Sequence, residues 1–265
     1  MNYKLGVIGC GFMATAIIDG VLSSKVLEQK DILCYDKMEG ALNKMQGKGL
    51  QTTFDLKELA RECEYVLLAV KPQNLDEVIL SLEGQKINKA VSIMAGVKKE
   101  KISKGTGAIV ARAMPNTPCS ISKGAIGIDL SSFDGEDKKF ILSLFSGVGE
   151  VVEVNSEENL NAVTGISGSG PAYVYLFIDG LIKAGIEQGL DAEQAKTLAV
   201  NTVIGAGEMV KFNKDTELSS LITAVCSKGG TTIQAVDSFN ADGLDKIISK
   251  AVDKCVVRAK ELSKL

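Results

Sequence analysis

Five short runs hold the residues whose types and spacing can do chemistry. The first is Gly6-Val7-Ile8-Gly9-Cys10-Gly11-Phe12-Met13-Ala14, where Gly9, Gly11 and Ala14 spell G-x-G-x-x-A between an apolar run and the start of a helical pattern. Gly9 permits a tight turn, Gly11 lets the backbone approach a pyrophosphate, and Ala14 lets helix pack closely on strand. The helix N-terminus, with Phe12 and Met13 in its first turn, offers N–H donors to the anion. Asp36 lies 22 positions beyond Ala14, at the end of the next apolar run. An acid there accepts hydrogen bonds from ribose hydroxyls and repels a ribose phosphate, which favours NADH. Lys37 beside it can instead pair with that phosphate, so NADPH stays open and the reading only leans to NADH.

The second run, Ala69-Val70-Lys71-Pro72, closes a continuous apolar stretch. Ligands of a doubly wound sheet lie at the carboxyl ends of its strands, so this turn should line the cofactor. Pro72 pushes Lys71 toward an extended conformation. Lys71 is then a phosphate partner, a general acid or a solvated turn residue. The third run, Arg112 to Pro118, holds two of the chain's four prolines, and its stiff loop sets Asn116 and Thr117 where an amide or hydroxyl can meet a nicotinamide. The fourth, Thr164 to Tyr173, is Gly-rich and carries Pro171 at a helix start. The fifth is Cys226-Ser227-Lys228-Gly229-Gly230-Thr231-Thr232-Ile233, also leading into a helix. Backbone N–H groups there suit a carboxylate, and the hydroxyls of Ser227, Thr231 and Thr232 share the neighbourhood. For each run the plain alternative is a structural turn or helix–helix loop.

What is missing narrows the chemistry. The chain has no histidine, which excludes Ser-His-Asp triads, His-ligated zinc and imidazole bases. Six cysteines, none closer than 24 positions to the next, form no C-x-x-C or zinc spacing, so no metal site is expected. Free buried thiols in a reducing cytoplasm are the simplest reading. A net charge of −3, no basic run and 5% aromatic residues without tryptophan argue against nucleic acid as a partner. No apolar stretch reaches the ~18 residues of a membrane span, and no signal-peptide pattern precedes the first strand.

These runs need elements to hold them. Apolar runs at 4–8, 32–35, 65–70, 90–95, 109–114 and 148–154 read as strands, with helical patterns at 11–22 and 38–45. Such alternation predicts βαβ units in a parallel α/β sheet over residues 1–155. The continuous apolar character of 65–70 suits a central strand covered on both faces. From residue 156 to 265 the period becomes helical, at 174–186, 193–210 and 245–262, and Asp191 with Gln194 marks a helix start after Gly189. This all-α second domain carries apolar faces such as Ile178, Leu181, Ile182 and Ile186, which suit either a monomer core or an interwoven homodimer.

Taken together the runs resemble the pyrroline-5-carboxylate reductase family over essentially the whole chain. The resemblance rests on Gly9–Ala14, 69–72, Met114-Pro115-Asn116-Thr117-Pro118, the Gly-Ser-Gly-Pro-Ala-Tyr run at 168–173 and Gly229-Gly230-Thr231-Thr232-Ile233. It implies a Rossmann-type domain followed by a helical domain that builds an intertwined dimer, sometimes assembled further into larger rings up to a decamer. It also implies that the carboxylate of a cyclic imino acid is held around Ser227, Gly230 and Thr231. The Thr232 hydroxyl then meets the ring nitrogen as the catalytic group, and the loops at Lys71 and Asn116 line the cofactor. Two positions depart from the family: Lys228 replaces a proline, and Tyr35-Asp36-Lys37 differs from the usual serine or asparagine-arginine pair.

The implied activity is hydride transfer to the C=N bond of pyrroline-5-carboxylate, giving proline. It suits a chain without histidine, because a cyclic imine takes its proton from solvent and positioning supplies the catalysis. A two-domain hydroxyacid dehydrogenase using Lys183 or Lys196 is one alternative. A nucleotide-sensing binding protein that lost turnover, suggested by Lys228, is the other.

Overall fold

The computed structural model describes residues 1–263. Eight strands, β1 (Tyr3–Ile8), β2 (Ile32–Tyr35), β3 (Gln51–Thr53), β4 (Cys63–Leu68), β5 (Lys89–Ser92), β6 (Ile109–Met114), β7 (Gly124–Asp129) and β8 (Gly149–Glu153), form one sheet. Their order is β3-β2-β1-β4-β5-β6-β7-β8. The connecting helices are α1 (Phe12–Ser23), α2 (Glu39–Gln46), α3 (Leu56–Glu62), α4 (Leu75–Leu82), α5 (Lys99–Thr106) and α6 (Gly135–Ser146).

The apolar runs of β1 and β4 are continuous because the sheet is covered on both sides. Leu5, Val7, Tyr65 and Leu67 point into one core cluster, with α1 and α6. Ile8, Val66 and Leu68 point into the other, with α3, α4 and α5. Parallel pairing runs from β3 to β6, and β6 pairs antiparallel with β7. This reversal is an antiparallel step within the expected, mostly parallel sheet. The nine residues 115–123 between β6 and β7 are too few for a parallel crossover, which takes roughly a dozen or more. β8 returns parallel to β7 after α6.

Helical structure begins after β8, as expected, with the short α7 (Leu160–Val163) and a π-type turn at Thr164–Gly168. The first compact unit nevertheless extends past residue 155: it comprises 1–171 and the chain from 254 on, and the second unit is 172–253. Polar ties explain the extension. Glu157 accepts from the Arg112 guanidinium at 2.8 Å and from the Lys99 backbone N–H at 2.7 Å, tying the linker to β6 and α5. Val163 packs on Gly127, where a Cβ would lie 2.5 Å from it.

Beside this tie, the fully buried Asp129 pairs with the Lys99 ammonium at 2.6 Å and accepts from the Ser131 N–H at 3.0 Å. Burial alone raises a carboxyl pKa; the Lys99 and Ser131 hydrogen bonds outweigh it here and hold Asp129 below its ordinary value. A depressed carboxyl stabilises the fold above its unfolded pKa, and the contribution is lost as pH falls through the folded value. Asp129→Asn is therefore expected to cost about 2 kcal/mol at pH 7. Urea melts of both proteins should show that difference closing below about pH 4.

The second unit contains α9 (Ala192–Phe212), α10 (Leu218–Val225), α11 (Thr231–Ala241) and most of α8 (Gly170–Glu187). α12 (Leu244–Leu262) starts in this unit and ends in the first. The expected start of α9 is present as a capping box: the Asp191 carboxylate accepts from the Gln194 N–H at 2.9 Å and the Gln194 side chain accepts from the Asp191 N–H at 3.2 Å. Among the described residues of this unit only Ala195 and Ala199 are buried hydrophobics, so its helices lack a core of their own. No helix among the described residues is long and apolar enough to cross a membrane.

Candidate active site

A cleft of about 370 Å³ opens at the carboxyl ends of β1, β2 and β4. Gly9 makes its floor possible: φ is +93°, and a Cβ there would lie 3.0 Å from the Ala69 carbonyl. Gly9 also donates to the Tyr35 carbonyl at 2.9 Å, so β1, β2 and β4 meet at this turn. Gly11 caps α1, where among the described residues no side chain accepts from the first N–H groups, and a Cβ on it would meet nothing within 4 Å. Those unpaired donors and the open space over Gly11 fit the pyrophosphate of a dinucleotide.

Asp36 stands at the rim. Its carboxylate accepts from the Cys10 N–H at 2.7 Å and the Met38 N–H at 2.9 Å, which fixes its orientation and leaves each oxygen a lone pair for a ribose hydroxyl. Lys37 is paired with Glu77 of α4 at 2.9 Å. Lys71 is extended (φ −66°, ψ 146°) before Pro72, as expected, and its side chain is exposed.

In the second unit, the loop from Cys226 to Gly230 precedes α11. The Gly230 N–H donates to the Ser227 carbonyl at 3.0 Å and Gly229 has φ +73°, a tight turn that only glycine closes without strain. A side chain on Gly230 would lie 2.2 Å from the Ser227 hydroxyl. Among the described residues no side chain caps α11, so its leading N–H groups have no side-chain acceptor there, with the exposed Ser227, Thr231 and Thr232 around them. This is a ready seat for a small carboxylate with a hydroxyl close by.

The cleft brings together Gly9, Gly11, Asp36, Lys37, Ala69, Val70 and Lys71. Ala14 is buried between α1 and the sheet, in its packing role, whereas Phe12 is 63% exposed and Met13 packs on the core. Pro72 opens a short 3-10 turn and borders a neighbouring depression instead. Asn116 carries a structural task. Its carboxamide donates to the Ser167 carbonyl and accepts from the Ala125 N–H, both at 3.0 Å, so the side chain braces the loop. Sequence reading missed Glu77, Gln73 and Asn74, which α4 and its leading turn bring to the cleft. The only signal was the helix that must follow Lys71-Pro72.

Comparison with known proteins follows the same two parts. Residues 157–262 match the family model for pyrroline-5-carboxylate reductase dimerisation, and residues 4–96 match that of the coenzyme F420-dependent NADP oxidoreductases. A pyrroline-5-carboxylate reductase of Synechocystis is 38% identical over 269 residues, with 100% of each chain covered. This chain belongs to the pyrroline-5-carboxylate reductase family. A solved pyrroline-5-carboxylate reductase from Coxiella burnetii has a TM-score of 0.90 at 33% identity, covering 100% of both chains. A Plasmodium falciparum pyrroline carboxylate reductase solved with NADP bound has a TM-score of 0.85 at 29% identity, covering 99% of this chain and 98% of that one.

Membership in the pyrroline-5-carboxylate reductases sets aside the hydroxyacid dehydrogenase alternative, and Lys183 shows why it fits poorly. Its ammonium pairs with Asp179 at 2.6 Å, and that hydrogen bond pushes its pKa up, the wrong direction for a proton-transfer lysine.

Proposed function

We propose that this protein reduces pyrroline-5-carboxylate to proline with a nicotinamide cofactor, the last step of proline biosynthesis. The observation that carries the reading is full-length similarity to the reductase family in a chain whose Gly9–Gly11 turn, uncapped α1 and oriented Asp36 fit a dinucleotide. The fixed Asp36 carboxylate, beside a Lys37 already paired with Glu77, favours NADH over NADPH.

When bound, the nicotinamide supplies the hydride. The chain's own residues hold the substrate. The N–H groups at the head of α11, with Ser227, Gly230 and Thr231, bind the carboxylate. Thr232 accepts a hydrogen bond from the protonated ring nitrogen. The iminium carbon is already electrophilic, so no strong acid is required, consistent with a chain that has no histidine. The hydride adds at carbon, the C=N π pair becomes the nitrogen lone pair, and the Thr232 contact holds the nitrogen as its charge is neutralised.

Residues 156–265 serve as the dimerisation domain, with assembly beyond the dimer into a larger ring. The six free thiols fit a cytoplasmic enzyme. Purified protein should oxidise NADH, read at 340 nm, only when pyrroline-5-carboxylate is present. Folded protein that binds nucleotide yet oxidises neither NADH nor NADPH would overturn the activity and favour the sensing protein. Thr232→Ala should lower kcat/KM for the imine roughly tenfold, with nucleotide affinity and melting temperature unchanged, because Thr232 is exposed in the first turn of α11.

A further inference from the structure

We propose that Glu77, on α4, sets cofactor choice in this chain by holding the Lys37 ammonium away from a ribose 2′-phosphate. The inference rests on the nicotinamide-reductase reading above and assigns a specificity residue outside the loop after β2.

Among the described residues, four charged side chains line the cleft: Asp36, Lys37, Lys71 and Glu77. Asp36 cannot swing away from an incoming phosphate, because the Cys10 and Met38 N–H groups hold both of its oxygens. Lys37 is the adjacent cation, and it already binds Glu77 at 2.9 Å across the 40 positions that separate them in sequence. A 2′-phosphate therefore meets a carboxylate in either arrangement. If Lys37 stays with Glu77, the phosphate faces Asp36 without a neutralising partner. If Lys37 turns to the phosphate, the Glu77 carboxylate is left unpaired beside it. A ribose hydroxyl meets neither penalty, since Asp36 accepts from it. The field at this rim is acidic: the Tyr35 hydroxyl is pushed up first by burial, then by Glu77 and Asp36, against a smaller lowering by Lys37.

The side chains of Lys37 and Glu77 are 55% and 58% exposed. Such a pair contributes little to folding, so its effect lies in which ligand the lysine can serve, and Glu77→Gln tests it without unfolding the protein.

Calorimetry should compare ADP-ribose with 2′-phospho-ADP-ribose on the full chain and on E77Q, K37M and E77Q/K37M. Parallel assays give kcat/KM for NADH and NADPH. E77Q is expected to raise affinity for the phosphorylated ligand, relative to ADP-ribose, on the order of tenfold. That gain should vanish when Lys37 is methionine. If the unsubstituted protein prefers ADP-ribose but E77Q leaves the ratio unchanged, the inference fails while the NADH reading stands. A gain that persists in E77Q/K37M also overturns it, since Glu77 would then act by direct repulsion. A native preference for the phosphorylated ligand overturns the NADH reading itself.

Discussion

Gly11→Val is expected to weaken nucleotide binding on the order of 100-fold or more and to lower the melting temperature only slightly. The two glycines of the G-x-G turn carry different loads. Gly9 is needed for the fold itself, because its φ is +93° and any Cβ there would sit 3.0 Å from the Ala69 carbonyl. Gly9→Ala would lower stability and binding together, and the two losses could not be told apart. Gly11 has φ −76° and ψ −171°, extended backbone that any residue adopts, and its Cβ would point into open space. Valine there meets no clash and costs the apo protein about 1 kcal/mol, the loss of a favoured N-cap residue. Its two methyl groups would stand at the mouth of α1, where the unpaired N–H groups await the pyrophosphate. A steric block at that seat should weaken NADH binding on the order of 100-fold or more. Titration of NADH fluorescence together with a thermal melt checks both halves. Retained affinity would mean that the anion is held elsewhere.

The same turn shows what a sequence reveals and what it hides. Gly9, Gly11 and Ala14 act through backbone and local packing, so their spacing suffices to place them, and β1, β2 and β4 lie where apolar runs put them. β4 stops short of its apolar run because Ala69 and Val70 form the turn that meets Gly9 and do not continue the strand. β7 escapes a reading by pattern because Gly124 and Gly127 interrupt its apolar residues. Both glycines exist for close approach, Gly124 to Cys119 and the Val148 carbonyl, Gly127 to Val163. Those partners lie outside the strand, so no local pattern announces them. The linker 156–171 groups with the helical half by sequence for the same reason: its ties to Arg112 and Lys99 are tertiary. In the site, Glu77 has the sequence surroundings of an ordinary surface residue of a helix. Asn116 has those of a ligand contact, yet both ends of its amide are committed to the protein. Residue types announce chemistry, but only the fold tells which of them are already satisfied.

Leu176→Asp is expected to convert the protein from a dimer or larger assembly into monomers and to remove most of its activity. The helices of the second unit expose apolar side chains that an isolated protomer has no reason to display: Leu176 at 73%, Phe212 at 85%, Val225 at 66% and Ile247 at 59%. Exposure on this scale marks an interaction surface, and the dimerisation family matches residues 157–262, the region that contains all four. Covering them at roughly 25 cal/mol per Å² is a large stabilisation for any protomer with so little core in this unit. Because Leu176 is mostly exposed within its own chain, aspartate there should not harm the protomer directly. In an isologous dimer each interface receives two copies of the charge, so a single substitution desolvates two carboxylates. At a few kcal/mol each, the dimer dissociation constant should rise by about 1,000-fold or more. Light scattering across a dilution series reads the mass, and the 340 nm assay on the same samples reads the activity. Loss of activity in step with mass would tie catalysis to assembly. An unsubstituted protein that runs as a monomer at micromolar concentration would refute the interface, and its bare apolar helices would then demand another partner.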